Sequence, residues 1–419
     1  MNETLHDKYK DAALVLARKI CSDAIWHNDA CNWLGASNEQ VMNMPKDYSR
    51  ALGTAFYDGT AGVAYFLVAA AQAGNDPLIK RTAAGAVRQL VANTLNKQPA
   101  ANTEMVGKMG FHTGYPGIAL SLFYAAEVLN EPTFTSAGQQ VVNRLLELPR
   151  EFWGTDVIDG AAGAIPVILK LYKTSGDNRL RQLAINLGSY LADKADKQPI
   201  GWSWNTMPDI QHNLTGYGHG AAGMAHAFAE LFGLTGDTGY RDIVLSIMAY
   251  ENHFFQPQEL NWPDFRNFSQ PGAAAAPTVS CSCAWCHGAP GIGLSRLRCY
   301  TLIQHPQLLN DAQAAIQTTR NSNKLSLQGN YSLCHGLFGN AELLLYGAEV
   351  LQQPAWRKES EQLADDCINK YIATGIPIPN GLHSAAETPD FMLGTSGIGY
   401  FFLRLYNNRQ FDNMLLVTP

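Results

Sequence analysis

Seven times along this chain a Gly-x-x-Gly step opens a run of apolar residues. The runs begin at Gly59 (GTAGVAYFL), Gly114 (GYPGIALSLF), Gly160 (GAAGAIPVIL), Gly220 (GAAGMAHAF), Gly288 (GAPGIGLSRL), Gly336 (GLFGNAELLL) and Gly394 (GTSGIGYFFLRL). Such self-similarity is the signature of a repeat architecture, and each interval leaves room for one further helix and two loops. The runs are apolar nearly all round, as helices covered on both sides must be. The stretches between them are amphipathic: Leu180, Leu183, Ala184, Leu187 and Leu191 share one helical face, by the three-and-four spacing. Segments 78–95 and 141–148 behave alike, and β-hairpin signals are few. The pattern predicts seven helical hairpins closed into a ring, seven inner helices wrapped by seven outer ones. The expected fold is therefore all-α, an α/α toroid, forming a single domain over residues 1–419. In repeats without Cys or His, the glycines need serve only tight turns and close backbone approach.

Composition narrows the function. The chain has 419 residues, 46% hydrophobic and 16% charged, with a net charge of −6. No basic patch stands out, so no nucleic-acid partner is expected. The first ten residues are polar and charged, unlike a signal peptide, and no run of about 18 apolar residues could span a membrane. A cytoplasmic, monomeric protein is expected. In that setting the eight cysteines read as thiols and metal ligands, not as a disulfide framework.

Two corners carry chemistry-bearing side chains: Trp285-Cys286-His287-Gly288 and Leu333-Cys334-His335-Gly336. Cys and His are preferred zinc ligands, and three protein ligands leave a fourth position for chemistry. Cys286, Cys334 and His335 form the expected set, because repeats five and six adjoin on a seven-fold ring. Two other readings stay open: His287 as the ligand while His335 caps a helix, and a local thiolate cluster of Cys281, Cys283 and Cys286. Two thiolates and one neutral imidazole cancel the charge of zinc, and a third thiolate makes the complex electron-rich. That donor set favours activating a thiol over generating hydroxide from water.

The motifs GYGHGAAGMAHAF, WCHGAPGIG and LCHGLFGNAELLL, with DVIDGAAGAIPVIL upstream and FMLGTSGIGYFFLRL at the end, resemble the lanthionine synthetase C-like family. They run in order over nearly the whole chain, and in detail they look most like the C-terminal cyclase domain of class II lanthipeptide synthetases. The resemblance implies a toroid of seven inner and seven outer helices and a zinc ion on Cys286, Cys334 and His335. It implies addition of a peptide Cys thiolate to dehydroalanine or dehydrobutyrine, closing a thioether ring in a dehydrated precursor peptide, with a separate dehydratase as partner. By position, His219 matches the family's active-site histidine and Asp156 the carboxylate beside it. Where nisin-type cyclases carry an Arg four residues before the first zinc Cys and a Tyr after it, this chain has Ser282 and His287. His287 is expected to act as the donor in their place.

Related proteins of this family handle glutathione, which leaves glutathione binding or transfer as the alternative, and a zinc-bearing scaffold as a third. Asp159 is expected to cap its helix. His226 is expected to pack in the core, His112 is a lesser candidate to reach the cavity, and the corner aromatics Tyr57, Tyr115, Trp202, Trp204, Tyr217 and Trp285 are expected mainly to pack. Asp58, Asp156 and Asp159 lack a Glu partner, which argues against a glycosidase.

Overall fold

The computed structural model describes residues 3–41, 44–96, 105–207, 210, 212–266, 280–325, 329–382 and 387–419. Fourteen α-helices occur among them. Every Gly-x-x-Gly step opens one: α2 (Thr60–Gly74), α4 (Tyr115–Leu129), α6 (Ala161–Ser175), α8 (Ala221–Thr235), α10 (Ala289–Ile303), α12 (Leu337–Val350) and α14 (Thr395–Tyr406). Each of the first six is followed by a more polar helix: α3 (Pro77–Leu95), α5 (Pro132–Leu146), α7 (Asn178–Lys194), α9 (Thr238–His253), α11 (Pro306–Leu325) and α13 (Pro354–Cys367). The seventh outer helix comes from the other end of the sequence: α1 (Glu3–Ser22) packs on α14.

The two helix classes differ in burial as their sequences require. Every residue of α2 from Thr60 to Ala71 is buried, whereas α7 buries only its stripe of Leu180, Leu183, Ala184, Leu187, Gly188, Tyr190 and Leu191. Outer helices α3, α7 and α9 are capped by Asp76, Asp177 and Asp237, each accepting a backbone N–H of the first turn, the usual device for satisfying orphan amides.

The inner helices start differently, and this explains the repeat. For α2, α4, α6, α8, α10 and α14 the cap is the first glycine, with no side-chain cap. Three residues before that glycine stands a large, buried apolar residue: Phe56, Phe111, Val157, Tyr217, Trp285, Leu333 or Phe391. Its carbonyl oxygen lies where a Cβ on the second glycine would be, 1.8–2.3 Å away in all seven repeats. Only glycine admits that approach.

Among the described residues, three two-stranded antiparallel hairpins accompany the helices: β1 (Ile25–His27) with β2 (Ala30–Asn32), β3 (Leu34–Val41) with β4 (Met44–Ala51), and β5 (Asp196–Gln198) with β6 (Gly201–Ser203). The long β3–β4 hairpin was not expected, because its polar strands lack the apolar alternation that marks a half-buried sheet.

The chain divides into two compact units, each discontinuous in sequence. One comprises Met1–Phe152, Gln328–Glu342 and Lys358–Leu415; the other comprises Trp153–Leu327, Leu343–Arg357 and Leu416–Pro419. In the first, α14 packs on α2 and α2 on α4; in the second, α6 packs on α8 and α8 on α10.

Candidate active site

The corners before the inner helices are tied by backbone hydrogen bonds that recur at one position of the repeat, two residues before the first glycine. In the second unit, Val157 N–H donates to the Gly218 carbonyl at 3.1 Å, and the amides of Tyr217 and Gly218 donate to the Cys286 carbonyl at 3.2 and 3.0 Å. In the first unit, the amides of Leu333 and Cys334 donate to the Met392 carbonyl at 3.1 and 3.0 Å, and Met392 N–H donates to the Tyr57 carbonyl at 2.9 Å. Cys286 and Cys334 thus occupy equivalent, backbone-fixed positions.

In the second unit these bonds gather Asp156, His219, Cys286 and His287. His219 Nδ1 bonds Asp156 Oδ2, while Asp156 Oδ1 accepts the Asp159 N–H at 2.9 Å. Asp156 is buried, which opposes its charge, yet the bonds from His219 and Asp159 hold its carboxyl below the ordinary value. Burial pulls His219 down, but the Asp156 bond and the charges of Asp156 and Cys286 raise it on balance. Burial and the charge on Asp156 push Asp159 up to about 7. Asp159 is not a helix cap as expected: Gly160 caps α6, and Asp156 spends one oxygen closing the turn ahead of it. Thr206 Oγ1 fixes the His219 carbonyl at 2.6 Å, and a side chain at Gly218 would meet Cys286 Cβ at 3.2 Å.

His287 stacks on His219, with ring centroids 6.0 Å apart. It is 1% exposed, and neither ring nitrogen has a hydrogen-bond partner among the described residues. Burial drives it down to about 3 despite the nearby Asp264, so it is a neutral imidazole. Asp264 Oδ1 lies 3.8 Å from its Nδ1. Asp264 is in turn gripped by Arg266 (Nε–Oδ1 3.0 Å, Nη2–Oδ2 2.7 Å) and by Ser282 Oγ at 3.0 Å. Sequence reading missed this group, since the guanidinium absent at Ser282 arrives from a residue sixteen positions earlier. No spacing rule links the two; the antiparallel bridge between Asp264 and Ser280 does.

Cys334 and His335 lie together at the repeat-six corner of the first unit. Cys334 is buried, and His335 Nε2 bonds the Gly381 carbonyl at 2.8 Å. That bond places the proton on Nε2 and leaves Nδ1 as the basic nitrogen, the arrangement in which a metal-binding histidine is oriented by a backbone carbonyl. All eight cysteines are thiols. The donor types, the repeated Cys position and the oriented His335 fit a zinc ion; among the described residues no three such side chains are gathered as a preformed metal cluster. His226 is core, bonded to Tyr217 Oη at 2.8 Å and Glu230 at 3.2 Å. His112 is also buried, among Phe56, Tyr57 and Phe111. Tyr115, Trp204, Tyr217 and Trp285 pack in the interior.

A profile of the lanthionine synthetase C-like proteins matches residues 50–416. The chain belongs to the lanthionine synthetase C-like family. It is 23% identical over 413 residues to the lacticin 481/lactococcin biosynthesis protein LcnDR2 of Lactococcus lactis subsp. lactis, covering 94% of this chain and 40% of that protein. The chain therefore spans less than half of that relative's length. It is also 23% identical over 354 residues to the glutathione S-transferase LANCL1 of Danio rerio, covering 70% of this chain and 81% of that one. Among solved structures, nisin cyclase superposes with a TM-score of 0.66 at 15% identity, over 87% of this chain and 92% of that chain. This likeness shows the fold, and with the fourteen helices it bears out the all-α, α/α-toroid class for this family member. Among the described residues no helix is long and apolar enough to cross a membrane.

Proposed function

We propose that this chain is a zinc-dependent lanthipeptide cyclase, a single toroid domain that adds Cys thiolates of a dehydrated precursor peptide to dehydroalanine or dehydrobutyrine. The observation that carries the reading is the Asp156–His219 pair held against Cys286, within a chain similar to a lacticin 481 biosynthesis protein. Cys286, Cys334 and His335 are the proposed zinc ligands. When bound, the zinc supplies a Lewis acid that keeps the substrate thiol deprotonated and nucleophilic.

The protein's own residues account for the proton. Asp156 holds His219 through Nδ1, so Nε2 carries the mobile proton. As the substrate sulfur bonds to the β-carbon, the alkene electron pair moves to the α-carbon and into the adjoining carbonyl. His219 returns to the α-carbon the proton that the thiol gave up, and the reaction is proton-neutral. His287, uncharged and stacked on His219, is the proposed hydrogen-bond donor to that carbonyl as negative charge develops, because no protein group among the described residues occupies its ring nitrogens. A cytoplasmic monomer working after a separate dehydratase completes the reading.

Two assays test it. Zinc content is measured on wild type, Cys286→Ala, Cys334→Ala and Cys283→Ala: one zinc per chain, lost in the first two variants and kept in the third, supports the ligand set. A dehydrated peptide containing cysteine should lose its alkylatable thiol without changing mass. The relation to LANCL1 supports glutathione transfer as the second reading, in which the peptide instead gains the mass of glutathione. Failure of both products, with zinc retained, would leave the scaffold reading.

A further inference from the structure

The turn that carries His219 is braced from behind by a buried ionic network. Gly216 N–H donates to Glu251 Oε1 at 3.1 Å, just before the two amides that donate to the Cys286 carbonyl. Glu251 sits near the end of α9, and its Oε2 accepts from Arg296 Nη2 of α10 at 2.7 Å. Arg296 Nε bonds Asp311 Oδ2 of α11 at 3.1 Å. Glu251 and Arg296 are fully buried, and Asp311 is nearly so. Three successive amides, 216 to 218, are thus bolted between a carboxylate on one side and the Cys286 backbone on the other. The turn lies close against the repeat-five corner: Gly216 has φ +94°, and a side chain there would meet the Cys286 carbonyl oxygen and His287 Cα at 3.1 Å.

We infer that Glu251 is a positioning residue, fixing the 216–219 turn so that His219 is aligned over Cys286. This rests on the cyclase reading above. Its physical basis is that a carboxylate has two acceptor oxygens and both are used, one by Gly216 and one by Arg296. An amide in the same place has one acceptor and a donating NH2, so either the turn or the arginine must lose its bond. A shift near 1 Å at a reacting group costs on the order of a hundredfold in rate.

The test compares Glu251→Gln with Glu342→Gln, on wild-type background with zinc content measured throughout. Glu342 also receives a buried arginine, from Arg404 Nη2 at 3.0 Å, but no amide of the His219 turn. Both variants should lose thermal stability. Only Glu251→Gln should lose kcat, by about ten- to a hundredfold, with KM within about twofold and zinc unchanged. Unchanged kcat for Glu251→Gln below its melting temperature, or an equal kcat loss in Glu342→Gln, overturns the inference. A wild type that forms no thioether overturns the cyclase reading instead. Should Glu251→Gln not fold, hydrogen exchange on wild type decides: the Gly216 amide should exchange only with global unfolding, and exchange at the rate of exposed amides sinks the role.

Discussion

At the residue scale the informative comparison is internal. Asp156 and Asp390 stand four residues before the first glycine of their repeats, and each accepts the backbone N–H three residues on, at 2.9 and 2.8 Å. That shared bond is structural. They differ in the second oxygen, which takes Thr388 Oγ1 at 2.7 Å in Asp390 and His219 in Asp156. His219→Asn should therefore keep the fold and the proposed zinc while lowering kcat by about two to four orders of magnitude, the usual worth of a general acid–base group. Loss of zinc in that variant would show that His219 is a ligand and not the proton carrier. Asp159 gives a pH-dependent prediction. The folded chain keeps its proton up to about pH 7, whereas the unfolded chain releases it near about pH 3.9. Stability from this group is complete below about pH 4 and is lost as the pH rises towards 7. Asp159→Asn mimics the neutral acid, so its gain in Tm over wild type should grow across that interval and level off above it. A gain independent of pH would mean that Asp159 is ionised in the fold. His219 and Asp156 were legible from the motifs around them, but Asp264, Arg266 and Glu251 were not, because they reach the site through hydrogen bonds between segments far apart in sequence.

At the element scale the repeat was readable because its constraint is local. The carbonyl three residues before each frame presses on the second glycine of the same frame, so both partners fall within one short window. Gly397→Ala puts a methyl 1.8 Å from the Phe391 carbonyl oxygen, backbone that cannot rotate away, and should cost about 3 kcal/mol or more. Gly53→Ala meets nothing within 4 Å and should be neutral or stabilising by up to about 1 kcal/mol. Chemical denaturation of the two variants checks the pair, and equal effects would refute the steric account. The outer helices were legible through their apolar stripes, and α7 buries all five residues of its predicted face, with Gly188 and Tyr190 added. The β3–β4 hairpin escaped because nothing in its sequence alternates apolar with polar positions. Asp159 was misjudged as a cap for a related reason: the inner helices use glycine and close backbone approach where the outer ones use aspartate.

At the scale of the whole molecule, the seventh inner helix takes as its outer partner α1, from the opposite side of the repeat array in sequence. α1 lays Tyr9, Ala13, Leu16, Ala17 and Ile20 into the interior, each no more than 5% exposed, and it packs on α14. The same region is pinned by Trp33 Nε1, which donates to the Ile20 carbonyl at 2.8 Å, and by Tyr9 Oη, which donates to the Glu361 carbonyl at 3.3 Å. Without α1, the side of α14 that it covers would meet water. Fully burying each large apolar side chain is worth about 1.5–3 kcal/mol, so losing several at once is comparable with the whole stability of an ordinary domain, about 5–15 kcal/mol. Removing residues 3–22 should therefore abolish cooperative unfolding of the first unit and drive the protein into aggregates. Hydrogen exchange would show the loss spreading from α14 into α2, its neighbour in that unit. A truncated chain that stays soluble, with α14 still protected, would mean that the pairing between the two ends is an ornament of the fold and not the contact that completes its seventh repeat.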